Sequence, residues 1–212
     1  MQELAPRSRS QARRRLLDAA EVLFADKGYV GASMRDISQA AGVPLGTATY
    51  HFREKEDLFR EVLLRRVPEV TAALERNLAQ APADDVQAIL EAYGDPMLEW
   101  LSTDDAGWRA YIRLLCMTGL QPAMRQLVEP TLEAHAPILE SYRAALYGAA
   151  LHVDPKVLPR IFYVYQNALL GVRSDLHWQR FIGPSDVREY GQMLAEMATQ
   201  YAAGGARPPR RS

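Results

Sequence analysis

The apolar residues near the start of the chain recur at helical intervals. Leu16, Ala19, Ala20, Leu23 and Phe24 fall at i, i+3, i+4, i+7 and i+8, which predicts an amphipathic helix over about residues 9–27, ended by Gly28. Ser33 and Asp36 then stand three apart, the spacing of a capping box at a helix start. Ile37, Ala40 and Ala41 give the helix that follows an apolar face. Gly42 stops it, Val43 supplies an apolar plug for the turn, and Pro44 presets the backbone for a new start.

The next helix, about residues 45–51, is barely two turns long and carries Gly46, Thr47, Thr49, Tyr50 and His51. A helix so poor in apolar anchors is not there chiefly to fill a core. Two short helices joined by a tight turn, the second rich in short or planar hydrogen-bonding side chains, predict a helix-turn-helix. In that arrangement the second helix lies in the DNA major groove.

Everything after residue 55 reads as helix, and no stretch has the alternation and turn spacing of a sheet. A long helix is expected over about 55–80, kinked at Val67-Pro68. Others are expected at about 84–102, broken at Gly94-Asp95 near Pro96, and at 105–119, 123–149, 155–181 and 185–203. The fold class is therefore all-α. The domain organisation expected is a helix-turn-helix DNA-binding domain at 9–55, a helical domain at 56–204, and a disordered basic tail at 205–212, whose composition is Gly, Pro and Arg.

Residues 13–60 resemble the N-terminal domain of the TetR family of bacterial transcriptional regulators. The resemblance is carried by LLDAAEVLFADKGY, the Ser33 cap, DISQAAGV, Gly46-Thr47, Tyr50-His51-Phe52, Lys55 and Leu58. It differs at two positions: Leu45 stands where such proteins often carry a polar or basic residue, and Thr49 where they often carry a tyrosine. The resemblance implies a ligand-responsive regulator, a dimer that holds a small-molecule inducer between the helices of its C-terminal domain and binds a palindromic operator. On that reading Lys55, Tyr50 and the Ser33 or Thr47 hydroxyl position phosphates, whereas Arg35, Gly46, Thr47, Thr49 and His51 lie closest to base edges.

Composition narrows the alternatives. The 212 residues are 48% hydrophobic, enough for a full core, and no stretch approaches a membrane span. A cytoplasmic protein with no membrane partner is expected. Cys116 is the single cysteine, and the four histidines lack metal-ligand spacing, so neither a metal nor another cofactor is expected. The net charge of −1 hides an asymmetry: residues 1–60 carry ten Lys/Arg against eight Asp/Glu, and residues 61–206 twelve against eighteen. Arg7, Arg9, Arg13, Arg14 and Arg15 form a basic cluster suited to DNA phosphates, although a solvated arm would have the same composition.

In the last two helices Leu158, Ile161, Tyr165, Ala168 and Val172 are spaced 3, 4, 3, 4, and Val187, Gly191, Leu194, Ala198 and Tyr201 are spaced 4, 3, 4, 3. Two such helices from each of two subunits would make a four-helix homodimer seam; packing within one subunit is the alternative. Candidate inducer-binding residues are Tyr93, Met97, Trp100, Trp108, Tyr111, Cys116, Met117, Tyr163, Gln166 and Asn167, side chains that suit a mostly apolar pocket and equally an ordinary core. An enzyme is disfavoured. No G-x-S-x-G, H-E-x-x-H or P-loop is present, and Asp175 and His177 would face different sides of a helix. A helical interaction module that has lost specific DNA binding is the remaining alternative.

Overall fold

The computed structural model describes residues 6–119, 124–150, 153, 157–174 and 186–204. The regular elements among them are all helices: α1 (Pro6–Gly31), α2 (Met34–Ala40), α3 (Leu45–His51), α4 (Lys55–Leu64), α5 (Val67–Gln80), α6 (Val86–Ser102), α7 (Ala106–Gly119), α8 (Arg125–Ala149), α9 (Leu158–Ser174) and α10 (Asp186–Gly204). They form two compact units, one made of the chain up to Val67 with Asp104–Ala134, the other of Pro68–Thr103 with the chain from His135 onward. The basic tail at 205–212, and residues 175–181 of the helix expected over 155–181, lie outside the described residues.

In the first unit α1 packs against α2, α4 and α7. Leu16, Ala20 and Phe24 of α1 meet Ile37, Leu58, Phe59, Val62 and Leu63 in one core. The Phe24 and Phe59 rings lie edge to face at 5.0 Å. Gly28 interrupts α1 with φ 70° and ψ 169°, a left-handed backbone that glycine adopts without strain. The capping box forms as expected: Asp36 N–H donates to Ser33 Oγ at 3.1 Å, and Ser33 N–H to Asp36 Oδ2 at 3.3 Å. The Ser33 hydroxyl, which donates to Asp36 Oδ2 at 2.8 Å, and then the Ser33 N–H hold the Asp36 carboxyl below its ordinary pKa.

Gly42 ends α2 at φ 59°. Val43 N–H returns to Ser38 O at 2.9 Å and Gly42 N–H to Gln39 O at 3.0 Å, the paired bonds of a Schellman turn. Val43 is buried in that turn. Pro44 then starts α3, its carbonyl accepting from Thr47 and Ala48.

Two expectations need correction. The helix expected over 55–80 is broken at Arg65-Arg66, not at Val67-Pro68. The proline ring clashes with the carbonyl four residues back, that of Leu64, so α4 ends at Leu64 and Pro68 falls in the first turn of α5, where no N–H is needed. The break expected at Gly94-Asp95 does not occur. α6 runs through Pro96, and the carbonyl that Pro96 cannot bond, Ala92 O, accepts instead from the buried Tyr142 hydroxyl at 3.0 Å. Gly94 serves packing: a Cβ there would overlap the Tyr165 hydroxyl.

The break after α4 is held from α1. Glu21 stands in the apolar stripe of α1 and is 0% exposed. Its Oε2 accepts from Arg65 Nε at 2.9 Å and NH2 at 2.6 Å, and from Arg66 Nε at 3.0 Å, while its Oε1 accepts from Arg66 NH2 at 2.7 Å. Asp18 takes Arg65 NH1 at 2.8 Å, which balances the two guanidinium charges with two carboxylates. Arg66 also lies over the Trp108 ring at 4.2 Å. Beside them the Tyr111 hydroxyl donates to Leu63 O, one of the last carbonyls of α4, at 2.9 Å. Burial pushes the pKa values of Tyr111 and Tyr142 well up.

In the second unit α10 packs on α6 and α9. Tyr93, Tyr142 and Phe162 cluster at its centre, with Tyr93 edge-on to Tyr142 at 5.4 Å and to Phe162 at 5.1 Å.

Tyr142→Phe leaves Ala92 O buried and unpaired, at an expected cost of about 1–3 kcal/mol. Pro96→Ala restores the missing N–H. In the Tyr142→Phe background it should therefore recover more stability than it does in the wild type; denaturant midpoints of the four proteins in this cycle make the comparison.

Candidate nucleic-acid interface

The reader helix α3 is held by little of itself. Ala48 is its one buried residue, and Phe52, just past its end, is buried with it. The rest of α3 faces outward: Leu45 is 45% exposed and Tyr50 70% exposed, Gly46 and Thr49 are also exposed, and Thr47 and His51 are half-buried. Thr49 Oγ1 donates back to the carbonyl of Leu45 at 3.1 Å or Gly46 at 3.2 Å, so its proton is committed to the backbone. Arg35 on α2 is exposed. Ser33 Oγ is engaged with Asp36, as both acceptor and donor.

Two of the expected DNA-contacting groups have additional roles. Lys55 Nζ donates to Tyr29 O at 2.8 Å and Ala32 O at 3.0 Å, and lies 4.4 Å from the centre of the Tyr29 ring. It thereby ties the start of α4 to the end of α1. The structure gives this ammonium a structural partner set where the resemblance implied a phosphate. His51 is part of the same surface, its Nε2 buried without a hydrogen bond. Burial lowers its pKa, and the nearby Arg13 and Arg9 lower it further. At the start of α4 the Glu54 N–H donates to Asp57 Oδ2 at 3.3 Å.

The basic cluster of α1 is divided. Arg13 pairs with Glu61 and lies over the Phe52 ring, and Arg15 NH2 donates to Gly42 O at 3.3 Å, so both brace the helix-turn-helix. Arg14 is exposed. The side chain of Arg7 lies outside the described residues.

The expected inducer-binding residues fall in both units. Trp108, Tyr111, Cys116 and Met117 belong to the first, where Tyr111 and Cys116 are fully buried and Trp108 sits under Arg66. Arg113 of α7 pairs with Asp26 of α1 at 3.3 Å. Tyr93, Met97, Trp100, Tyr163, Gln166 and Asn167 belong to the second. Gln166 Nε2 donates to the Tyr93 hydroxyl at 3.0 Å, a polar pair among aromatic rings. Tyr163, by contrast, is 66% exposed, and Asn167 Nδ2 donates to its carbonyl.

The expected dimer seam divides as well. Leu158, Ile161 and Tyr165 are buried within the one chain, and Gly191 faces α6, because a Cβ there would overlap Leu98. Heptad spacing identified a face but not its neighbour. Ile161 and Tyr165, with Ala168, Leu194, Ala198 and Tyr201, nonetheless border an open groove of about 510 Å³ between α9 and α10, together with Arg160, Val164 and Met197, which the heptad pattern missed. The side chains of Val172 and Val187 lie outside the described residues. Glu21, Arg65 and Arg66 were also missed, although an acid inside an apolar helical stripe was a usable signal.

Sequence comparison agrees with this geometry. The profile described as bacterial regulatory proteins, tetR family, matches residues 16–62, and that described as tetracyclin repressor-like, C-terminal domain, matches residues 91–205. The chain belongs to the TetR family of bacterial transcriptional regulators, and its helix-turn-helix is a DNA-binding domain. The HTH-type transcriptional regulator CymR of Pseudomonas putida is 26% identical over 185 residues, 84% of this chain and 88% of that protein. The transcriptional activator FasR of Mycolicibacterium smegmatis is 32% identical over 101 residues, 48% of this chain and 45% of that protein. Among solved structures, the fold is shared with PfmR of Thermus thermophilus, at 22% identity, with a TM-score of 0.63 over 88% of this chain and 97% of that one. It is shared also with FadR of Bacillus halodurans, at 17% identity, with a TM-score of 0.64 over 93% and 96%.

Lys55→Met keeps the aliphatic stem and removes the donors to Tyr29 O and Ala32 O. We expect a stability loss of about 1.5–3 kcal/mol, the range for hydrogen bonds to a charged group. The salt dependence of DNA binding by the folded variant should be unchanged. A salt slope reduced by about one would instead place this ammonium on a phosphate in the complex.

Proposed function

We propose that the protein is a homodimeric repressor that binds a pseudo-palindromic operator and is released from it by a small, mostly apolar inducer. The observation that carries this reading is the division of labour in α3. Ala48 alone anchors the helix in the core, and the exposed residues beside it are left for base edges. Arg35 and Thr47 join the base-reading set, with Tyr50 and Arg14 on phosphates. One such reader covers half a site, so a two-fold dimer matches a palindrome.

The groove between α9 and α10 supports the dimer. Val164 and Met197 are more than half exposed beside Tyr201, itself 67% exposed, and an apolar strip of this kind on a helix pair is suited to a second copy of the same pair. The inducer is assigned to the C-terminal domain, where Tyr93 and Gln166 offer a hydrogen-bonding pair within an aromatic cluster. A ligand that binds better to the spacing of readers that cannot span the operator shifts the population away from DNA. The protein works on DNA in the cytoplasm and needs no cofactor.

Selection of duplexes from a random library by the full-length protein tests the DNA reading. The expected product is an inverted repeat, and Arg35→Ala should relax one position of each half-site by about 1–3 kcal/mol. Recovery of no enriched sequence would leave a helical module without specific DNA binding. A reporter behind the selected operator separates repression from activation.

Met197→Glu and Val164→Glu place a charge in the proposed seam and leave the buried residues of the chain untouched. Sedimentation should show monomers for both, with operator affinity lost and helical content retained. Intact dimers for both would move the interface elsewhere.

A further inference from the structure

We propose that Leu45 is a specificity-determining residue that reads the C5 methyl group of a pyrimidine in the operator. The inference rests on the DNA-binding reading above and assigns a chemistry to the leading end of α3. In a helix-turn-helix the N-terminal residues of the second helix meet the base edges. Here the N-cap Pro44 and the first two helical residues, Leu45 and Gly46, have no side chain that can donate or accept a hydrogen bond, and the first hydroxyl is that of the half-buried Thr47. Thr49, one turn on, has its hydroxyl proton committed to the carbonyls of Leu45 and Gly46.

The protein itself gives no reason for these residue types. Leu45 is 45% exposed and lies outside the core cluster of its unit, whose α3 contribution is Ala48. Gly46 does not have a positive φ, and a Cβ at this position would meet no protein atom within 4 Å. Neither backbone strain nor internal crowding requires glycine there. An apolar side chain followed by a missing one, both facing outward at the leading end of a reader helix, fits a partner that approaches closely and offers an apolar group. In the major groove that group is the methyl at C5 of thymine, and 5-methylcytosine presents the same one.

The test uses the full-length protein and the duplex it enriches from the random library. Each thymine in turn is replaced by uracil, in both half-sites together, which removes a methyl and nothing else. At one position the wild-type protein should lose affinity about fourfold per methyl, or about fifteenfold for the two half-sites, the factor expected from about 0.8 kcal/mol per buried methyl-sized group. Leu45→Ala should bind the parent duplex more weakly and discriminate thymine from uracil no longer, whereas Leu45→Met, which keeps an apolar reach, should retain part of the discrimination. Placing 5-methylcytosine rather than cytosine at the same position should recover a similar factor for the wild type alone.

An enriched duplex indifferent to uracil at every position overturns the Leu45 assignment and leaves the proposed function standing. So does a Leu45→Ala variant that remains as sensitive to uracil as the wild type. Failure to enrich any duplex overturns the proposed function, and this assignment with it.

Discussion

A single buried carboxylate organises the DNA-binding unit. Glu21 is enclosed within the apolar side of α1, where an unpaired charge would be costly, and the two guanidiniums that neutralise it come from Arg65 and Arg66. These are the two residues at which the chain leaves α4 and turns into α5. The pairing therefore fixes the end of α4 relative to α1 by charge and by directional hydrogen bonds, both more exacting than apolar contact. Its surroundings are fitted to it: Asp18 supplies the second negative charge, Trp108 a ring for Arg66, and Gly107 the room, since a Cβ there would crowd the same guanidinium. Removing one partner strands the others, so the cluster functions as a unit.

Proline imposes a related constraint. Pro68 and Pro96 each remove a backbone donor from helical sequence, with opposite results. At Pro68 the chain breaks, and the end of α4 is closed by the Tyr111 hydroxyl on Leu63 O. At Pro96 the helix continues, and the orphaned Ala92 carbonyl is taken by Tyr142, which also reaches Leu74 O at 2.9 Å. The difference follows from where the proline falls. Pro68 sits in a first turn that can be made a new start, whereas Pro96 sits well inside α6, where one carbonyl needed an outside donor.

The sequence was most informative where structure is local. The Ser33–Asp36 box and the Gly42 turn each depend on residues within five positions of one another, and both could be placed before any tertiary contact was known, whereas at Gly28 the helix kinks and runs on to Gly31 rather than ending. Legibility fell with sequence separation. The rescue of α6 by Tyr142 joins residues 50 apart, and the capture of Lys55 by the Tyr29 and Ala32 carbonyls joins residues 26 and 23 apart. Neither has a periodic signature. Gly191 shows the same limit for packing: spacing put it on an apolar face, but only the position of Leu98 shows that this face turns toward α6. The outward apolar positions Val164 and Met197 fall between the heptad positions and so escaped the pattern.

The slight hold of the core on α3 has an evolutionary consequence. Because Ala48 carries the packing, substitutions at Leu45, Gly46, Thr49 and Tyr50 draw little on the margin of stability that limits most mutational paths. Operator preference can then drift, and duplicated copies can part company in the genes they address, while the scaffold beneath them stays under purifying selection. The reading surface is thus the portion of the domain most free to be rewritten.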